Sequence, residues 1–213
     1  MVPKSFPNMK SLKGGITLIE IVVVIFIIAL FSTILIVNFP EIQRRMALSR
    51  STYKLAQDLR RTMDLSLSGV PLKDINGSAI AVKGYGIYIN MSNNTQYVIY
   101  ADVDSSHTYN RIGEDLFCTS QGYAEVQGDV STRDTTDCVI ETINLTKENP
   151  SLYINRIDNI NSNNTSINFS PPNPVINITN HSNNTEIGIV LGIIGVTTER
   201  TVSINTSGAI NVQ

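Results

Sequence analysis

A single carboxylate stands at the mouth of a long uncharged run, and its position sets a chemical problem. Glu20 directly precedes Ile21–Val37, a stretch with no charge in which only Ser32 and Thr33 are polar. A charged side chain near the centre of a lipid-embedded helix costs about 2.5–3.5 kcal/mol on insertion scales. Glu20 therefore calls for a cation to meet it, or for a place at the headgroup level where it stays wet and inert. A second set of oxygen donors follows much later, where Asp102, Asp104 and Ser106 alternate as in a calcium loop. The sixth position of that loop is His107 instead of the usual glycine, and the twelfth is Gly113 instead of glutamate, with Glu114 and Asp115 just beyond. Those departures favour a solvated acidic hairpin turn over a calcium site. The two cysteines, Cys118 and Cys138, form no C-x-x-C pair, so redox or zinc chemistry has no support. There is no G-x-S-x-G, H-E-x-x-H or P-loop, and His107 and His181 lie in polar, turn-like surroundings. The chain reads as non-enzymatic.

The elements that position Glu20 begin with the apolar run. Ile16–Phe39 is 24 residues long; as a helix it reaches about 36 Å, enough for a hydrocarbon core of about 30 Å. A secretory signal has an apolar region of about 7–15 residues followed by a small-residue cleavage site. Neither feature fits here, so the run reads as a retained anchor. Charge leaves the orientation nearly tied: Lys4, Lys10 and Lys13 favour a cytoplasmic N-terminus, while Arg44, Arg45 and Arg50 beyond the run argue the reverse.

Past the anchor, Ile42, Met46, Ser49, Tyr53, Ala56, Leu59, Met63 and Leu67 recur at spacings of three and four, which predicts an amphipathic helical stem over 40–69, the C-terminal half of the stripe packing on the chain's own domain and the N-terminal half meeting other subunits. Pro40 should bend or loosen the helix at the junction, and Gly69 with Pro71 should stop it. From about residue 70 to 213 the pattern changes to alternation. Strands are expected around Ala79–Val82, Tyr85–Ile89, Tyr97–Tyr100, Val139–Ile143, Ser166–Phe169, Val175–Ile178, Ile187–Val196, Thr201–Ile204 and Ala209–Val212. Turn clusters at Asn93-Asn94, Pro171–Pro174, Asn183-Asn184 and Ser207-Gly208 separate them. Ile187–Val196 is apolar but short, glycine-broken and β-branched, which makes it a buried central strand and not a second membrane segment. The fold class is α+β: a long N-terminal helix packed on an antiparallel β-rich domain.

The junction Lys13-Gly14-Gly15-Ile16-Thr17-Leu18-Ile19-Glu20, followed by the apolar helix, resembles the processing site of type IV pilins and type II secretion pseudopilins. The resemblance is specific over residues 13 to about 37 and extends through the stem. It implies that a prepilin peptidase cuts after Gly15 and N-methylates Ile16, where the family commonly has Phe. Residues 1–15 are then a leader and 16–39 the transmembrane, filament-core helix. It also implies a cytoplasmic leader, an extracytoplasmic domain and partners in other pilin or pseudopilin subunits, an inner-membrane assembly platform and the lipid bilayer. The terminal pair Thr201–Thr206 and Ala209–Val212 is similar to a hairpin of H-type minor pseudopilins. Some pseudopilins bind calcium, which bears on Asp102 and Asp104; otherwise no cofactor is expected.

The resemblance gives Glu20 its cation. Cleavage creates an α-amino group on Ile16, and in a staggered filament one subunit's Glu20 meets its neighbour's amine. Unit charges about 4 Å apart attract by about 4 kcal/mol at an effective dielectric near 20. Loss of the leader leaves 198 residues with 13 basic and 18 acidic side chains, formally −5, which argues against a generally basic nucleic-acid-binding surface. In an oxidising compartment Cys118 and Cys138 are expected to pair, for a gain of roughly 3 kcal/mol from chain entropy, the alternative being two unpaired buried thiols. The competing function is a single-pass anchored protein whose β-rich ectodomain binds a ligand or surface. The sequence does not choose among secretion, adhesion, twitching and DNA uptake.

Overall fold

The computed structural model describes residues 15–69, 71–73, 79–110, 137–172, 175–182 and 185–213. Two units divide the chain, Met1–Ile42 and Gln43–Gln213. One helix, α1 (Leu18–Ser68), begins in the first and ends in the second. Thr17 starts it: its carbonyl accepts from the backbone N–H of Glu20 (3.1 Å) and Ile21 (3.3 Å), and its hydroxyl lies 3.4 Å from the Glu20 nitrogen, as an N-cap requires. In the first unit the large apolar side chains described from Leu18 to Ile36 are exposed on every side of the helix. A segment of α1 is long and apolar enough to cross a membrane, with mean hydropathy 3.0. Pro40 does not interrupt α1, although its nitrogen has no hydrogen to give the preceding turn.

Among the described residues, the second unit combines the C-terminal part of α1 with three sheets. A five-stranded sheet has the order β5-β4-β3-β7-β8, built from β3 (Gly84–Asn90), β4 (Gln96–Asp102), β5 (Cys138–Asn144), β7 (Asn164–Ser170) and β8 (Val175–Ile178). A four-stranded sheet has the order β11-β10-β9-β6, built from β6 (Leu152–Asp158), β9 (Glu186–Ile193), β10 (Val196–Asn205) and β11 (Ile210–Val212). A two-residue ladder joins β1 (Leu72–Lys73) to β2 (Ala79–Ile80). Every pairing is antiparallel. Leu48, Leu55, Ala56 and Leu59 of α1 share one core with inward residues of both large sheets, such as Ile87, Ile99 and Phe169 of one and Ile154, Leu191 and Ile204 of the other.

In the C-terminal half of the expected stripe Ala56 and Leu59 are buried and Met63 half-buried, but Leu67 is exposed; in its N-terminal half Ile42, Met46 and Tyr53 are exposed, clear of the chain's own core. The face on the core is Leu48, Ser51, Thr52, Leu55, Ala56, Asp58, Leu59, Thr62 and Ser66. Its small polar members bring the helix close to the sheets: Thr52 and Thr62 each donate to the carbonyl four residues back (Leu48 and Asp58, both 2.7 Å), while the buried Ser51 hydroxyl has no partner among the described residues. Ser66 donates to the Phe169 carbonyl on β7 at 2.6 Å. Counting large apolar residues alone therefore found Ala56, Leu59 and Met63 but not the small polar part of the face. Gly69, at φ +57°, ends α1 in the left-handed region, where a Cβ is costly.

The strands fall largely where alternation placed them, and β9 lies inside its sheet with all but Glu186 buried. The Ala79–Val82 strand shrinks to Ala79–Ile80. The sequence reading did not include β6. Its inward residues Leu152, Ile154 and Ile157 break strict alternation because a bulge lies between Ile154 and Arg156. Asn173, Pro174, Asn183 and Asn184 of the expected turns lie outside the described residues. The hairpin β10–β11 pairs Val202 with Val212 and Ile204 with Ile210, and the Asn205 side chain accepts from the backbone of Ser207 (3.1 Å) and Ala209 (2.9 Å) in its turn.

Gly86 on β3 marks the tightest fit in the five-stranded sheet. A Cβ there would lie 2.5 Å from the Tyr100 ring, which is fully buried. Gly86→Ala should lower unfolding stability of the full chain in detergent by about 1–3 kcal/mol. The same change in a Tyr100→Leu background should cost less, as a double-mutant cycle by urea unfolding would show.

Candidate functional site

Two acidic sites emerge, and they lie in different units. The first is the start of α1. Gly15 and Ile16 precede the helix and are exposed, and nothing lies within 4 Å of where a Gly15 Cβ would stand. Glu20 is the acid of the first helical turn and is exposed, surrounded in sequence by Leu18, Ile19, Ile21 and Val22, all at least half exposed. Thr17 places it by capping the helix. Lys13 and Gly14 of the junction lie outside the described residues.

The second site is on the β-rich unit. Asp102 ends β4, and the turn after it doubles back through Ser105 (φ 67°) and His107 (φ 59°), both left-handed. His107 thus bends the chain where glycine was expected. Asp102 is fully buried. Its Oδ1 accepts from Ser105 N–H (2.7 Å), and its Oδ2 accepts from His107 N–H (3.0 Å) and the Asn168 amide (3.2 Å). Asp104 accepts from Ser106 N–H (2.8 Å) and from the Asn110 amide (3.1 Å).

The structure adds a third carboxylate that the sequence reading did not include. Asp137, just before β5, accepts from Val103 N–H (3.2 Å) and Asn110 N–H (2.8 Å), and is buried. Oxygens of Asp102, Asp104 and Asp137 lie within 4.8 Å of one another. No local motif joins Asp137 to the others. The signal was in strand pairing, since Ala101 opposite Cys138 brings the end of β4 beside the start of β5. Hard oxygen donors of this kind suit a divalent cation such as calcium, and these are the described residues that could hold one. Ser106 keeps to hydrogen bonds with Thr108 and Asn110. Gly113, Glu114 and Asp115 lie outside the described residues.

Burial governs the electrostatics of this cluster. It pushes Asp137 up to about 7, against the Asn110 and Val103 N–H groups and with the help of the neighbouring Asp102 and Asp104 charges. Burial likewise raises Asp102, partly offset by the His107 and Ser105 N–H groups. At Asp104 desolvation acts upward too, but hydrogen bonds from Ser106 and Asn110 hold it below the ordinary value. Cys138 is buried beside Leu72, Tyr85 and Ala101, and the described residues contain no free cysteine; Cys118 lies outside them.

The pH dependence follows from Asp137. Its unfolded value is about 3.9, and its folded value is about 7. Between these the folded state binds more protons, so stability falls as pH rises through that window and levels off above it. Melting of the full chain in detergent should show this decline between about pH 4 and 7, and Asp137→Asn should flatten it. An unchanged slope in the variant would assign the dependence elsewhere. No family model, curated protein or solved structure matches the chain.

Proposed function

We propose that the chain is a pilin-like structural subunit, made as a prepilin, cleaved after Gly15 and assembled into a type IV pilus or a type II secretion pseudopilus. The observation that carries this reading is a helix whose start is exposed and apolar on every side, interrupted by one acid, Glu20, in its first turn. An isolated apolar helix of this kind needs lipid before assembly and other helices after it. A Glu at its entrance gains from a cation fixed at the same depth on a neighbour, and a newly exposed Ile16 α-amino group supplies one. The order of events makes chemical sense: removal of residues 1–15 discards three lysines and creates the amine that Glu20 meets.

In this reading the subunit is a single-pass inner-membrane protein with residues beyond the anchor outside the cytoplasm, and a filament component after assembly. Its partners are a prepilin peptidase, which also methylates Ile16, an assembly platform and further subunits. The exposed face left on α1 at Met46 and Tyr53 is a surface for those subunits. Pairing of Cys138 with Cys118 and calcium at Asp102, Asp104 and Asp137 would both strengthen the extracytoplasmic unit.

Intact mass and N-terminal sequence of the protein from native membranes, with an active prepilin peptidase, test the pathway. A chain beginning at N-methylated Ile16 is expected, and retention of Met1–Gly15 would reject cleavage. Gly15→Val should block removal of the leader. Glu20→Ala should leave processing intact and lower incorporation into sheared filaments by about tenfold or more, on the scale of a lost charge pair; normal incorporation would leave Glu20 without its role.

A further inference from the structure

The outer face of the five-stranded sheet carries a cavity that the filament reading does not use. Ile87, Ile89, Tyr97 and Ile99 point from β3 and β4 into the core shared with α1, so Tyr88 and Val98 between them point outward. Tyr88 pairs with Val98, and Val98 with Thr142 of β5, which makes one row across three strands. Tyr88 and Val98 floor a cavity of about 510 Å³, with Thr142 at its exposed rim, within the range of about 300–1,000 Å³ usual for ligand sites.

Its walls have a definite chemistry. At one end stands Tyr109, whose N–H donates to Ser166 Oγ (3.0 Å) and whose ring lies 4.8 Å from that of Tyr88 and 5.2 Å from that of Tyr100. Tyr100 is seated over Gly86, so the aromatic end is built on a rigid base. At the other end stand three side-chain amides, Asn90, Asn93 and Gln96. The Asn90 oxygen accepts from Ser92 N–H (2.9 Å) and the Asn93 oxygen from Thr95 (3.2 Å), which leaves both NH2 groups to donate. Gln96 adds a donor and an acceptor, and Thr142 a hydroxyl.

Among the described residues, none that lines the cavity is charged. Asp104, held ionised by hydrogen bonds from Ser106 and Asn110, lies just past the end of β4 opposite Gln96, where its charge disfavours anions. A cation would find no carboxylate among the described residues that line the cavity. Aromatic faces at one end and paired amides at the other match a ligand with an apolar ring face and a rim of hydroxyls. We propose that this cavity binds a neutral carbohydrate, one sugar ring against Tyr88 and Tyr109 and its hydroxyls on Asn90, Asn93 and Gln96. The site is independent of cleavage and assembly, and would belong equally to an anchored, unassembled protein.

Titration calorimetry and saturation-transfer NMR on the full chain, in a detergent without a sugar headgroup, test it. The probes are maltotetraose, cellotetraose and the N-acetylglucosamine tetramer, with trigalacturonate as the acidic comparison. At least one neutral probe should bind and trigalacturonate should not. Tyr88→Ala should weaken binding by about tenfold, the scale of a lost aromatic contact, and Tyr88→Phe by no more than about threefold. Gln96→Ala should weaken it as well. Binding by none of the neutral probes, equal binding of trigalacturonate, or folded Tyr88→Ala and Gln96→Ala variants with unchanged affinity would each overturn the proposal. If Tyr88→Ala does not fold, Thr142→Trp on the exposed rim fills the cavity instead, and retained binding there would overturn it.

Discussion

Asp58 is a carboxyl group buried in the interface between a helix and a sheet, and its hydrogen bond from Tyr97 fixes how the two meet. The Tyr97 hydroxyl on β4 donates to Asp58 Oδ2 at 2.5 Å, with Tyr97 almost fully buried. Burial raises Asp58, and the Tyr97 bond opposes that rise. Burial and the Asp58 charge together push the Tyr97 hydroxyl far upward, so it stays a donor. A slip of α1 by one turn would leave both groups buried without partners, at about 1–3 kcal/mol each or more. The apolar contacts of Leu48, Leu55 and Leu59 are tolerant of such slips, but this bond is not. Arg61 with Glu141 on β5 (2.9 Å) and Ser66 with the Phe169 carbonyl repeat the register at the next turns.

The two acidic sites show how position decides what a carboxylate does. Glu20 is exposed on an apolar helix and holds its meaning in what it will touch. Asp102 and Asp137 are enclosed by their own chain and satisfied by its N–H groups, so they order a turn and join β4 to β5. Asp104, held ionised beside them, gives the outer sheet face its negative end, next to which the cavity of Tyr88 and Gln96, uncharged among the described residues, stands out.

Much of this architecture was legible because its strands obey simple alternation. β3, β4, β5, β7 and β9 could be read from residues such as Ile87, Ile89 and Ile99, since one face of each meets a core. The helix was legible in extent, over about 16–69, but its buried face only in part, at Ala56, Leu59 and Met63. Leu67 imitates a core residue, while the real contact adds Ser51, Thr52, Thr62 and Ser66; the hydroxyls of Thr52, Thr62 and Ser66 are satisfied inside the helix or by the sheet, and that of Ser51 is buried without a partner among the described residues. β6 escaped because a bulge shifts the period at Asn155. Asp137 escaped because its partners are near only through strand pairing. The alternate spacing of Asp102 and Asp104 was visible, and so was Glu20, since both are local patterns.

The contacts that tie α1 to the sheets have a mechanical side. They are spread along residues 48–66 of one continuous helix, from Leu48 through Asp58 and Arg61 to Ser66. Tension applied along that helix loads them in parallel, as shear, and does not peel them one at a time. Rupture then requires several polar bonds and a buried apolar face to fail together. An element built in this way resists pulling far better than its modest number of bonds would suggest.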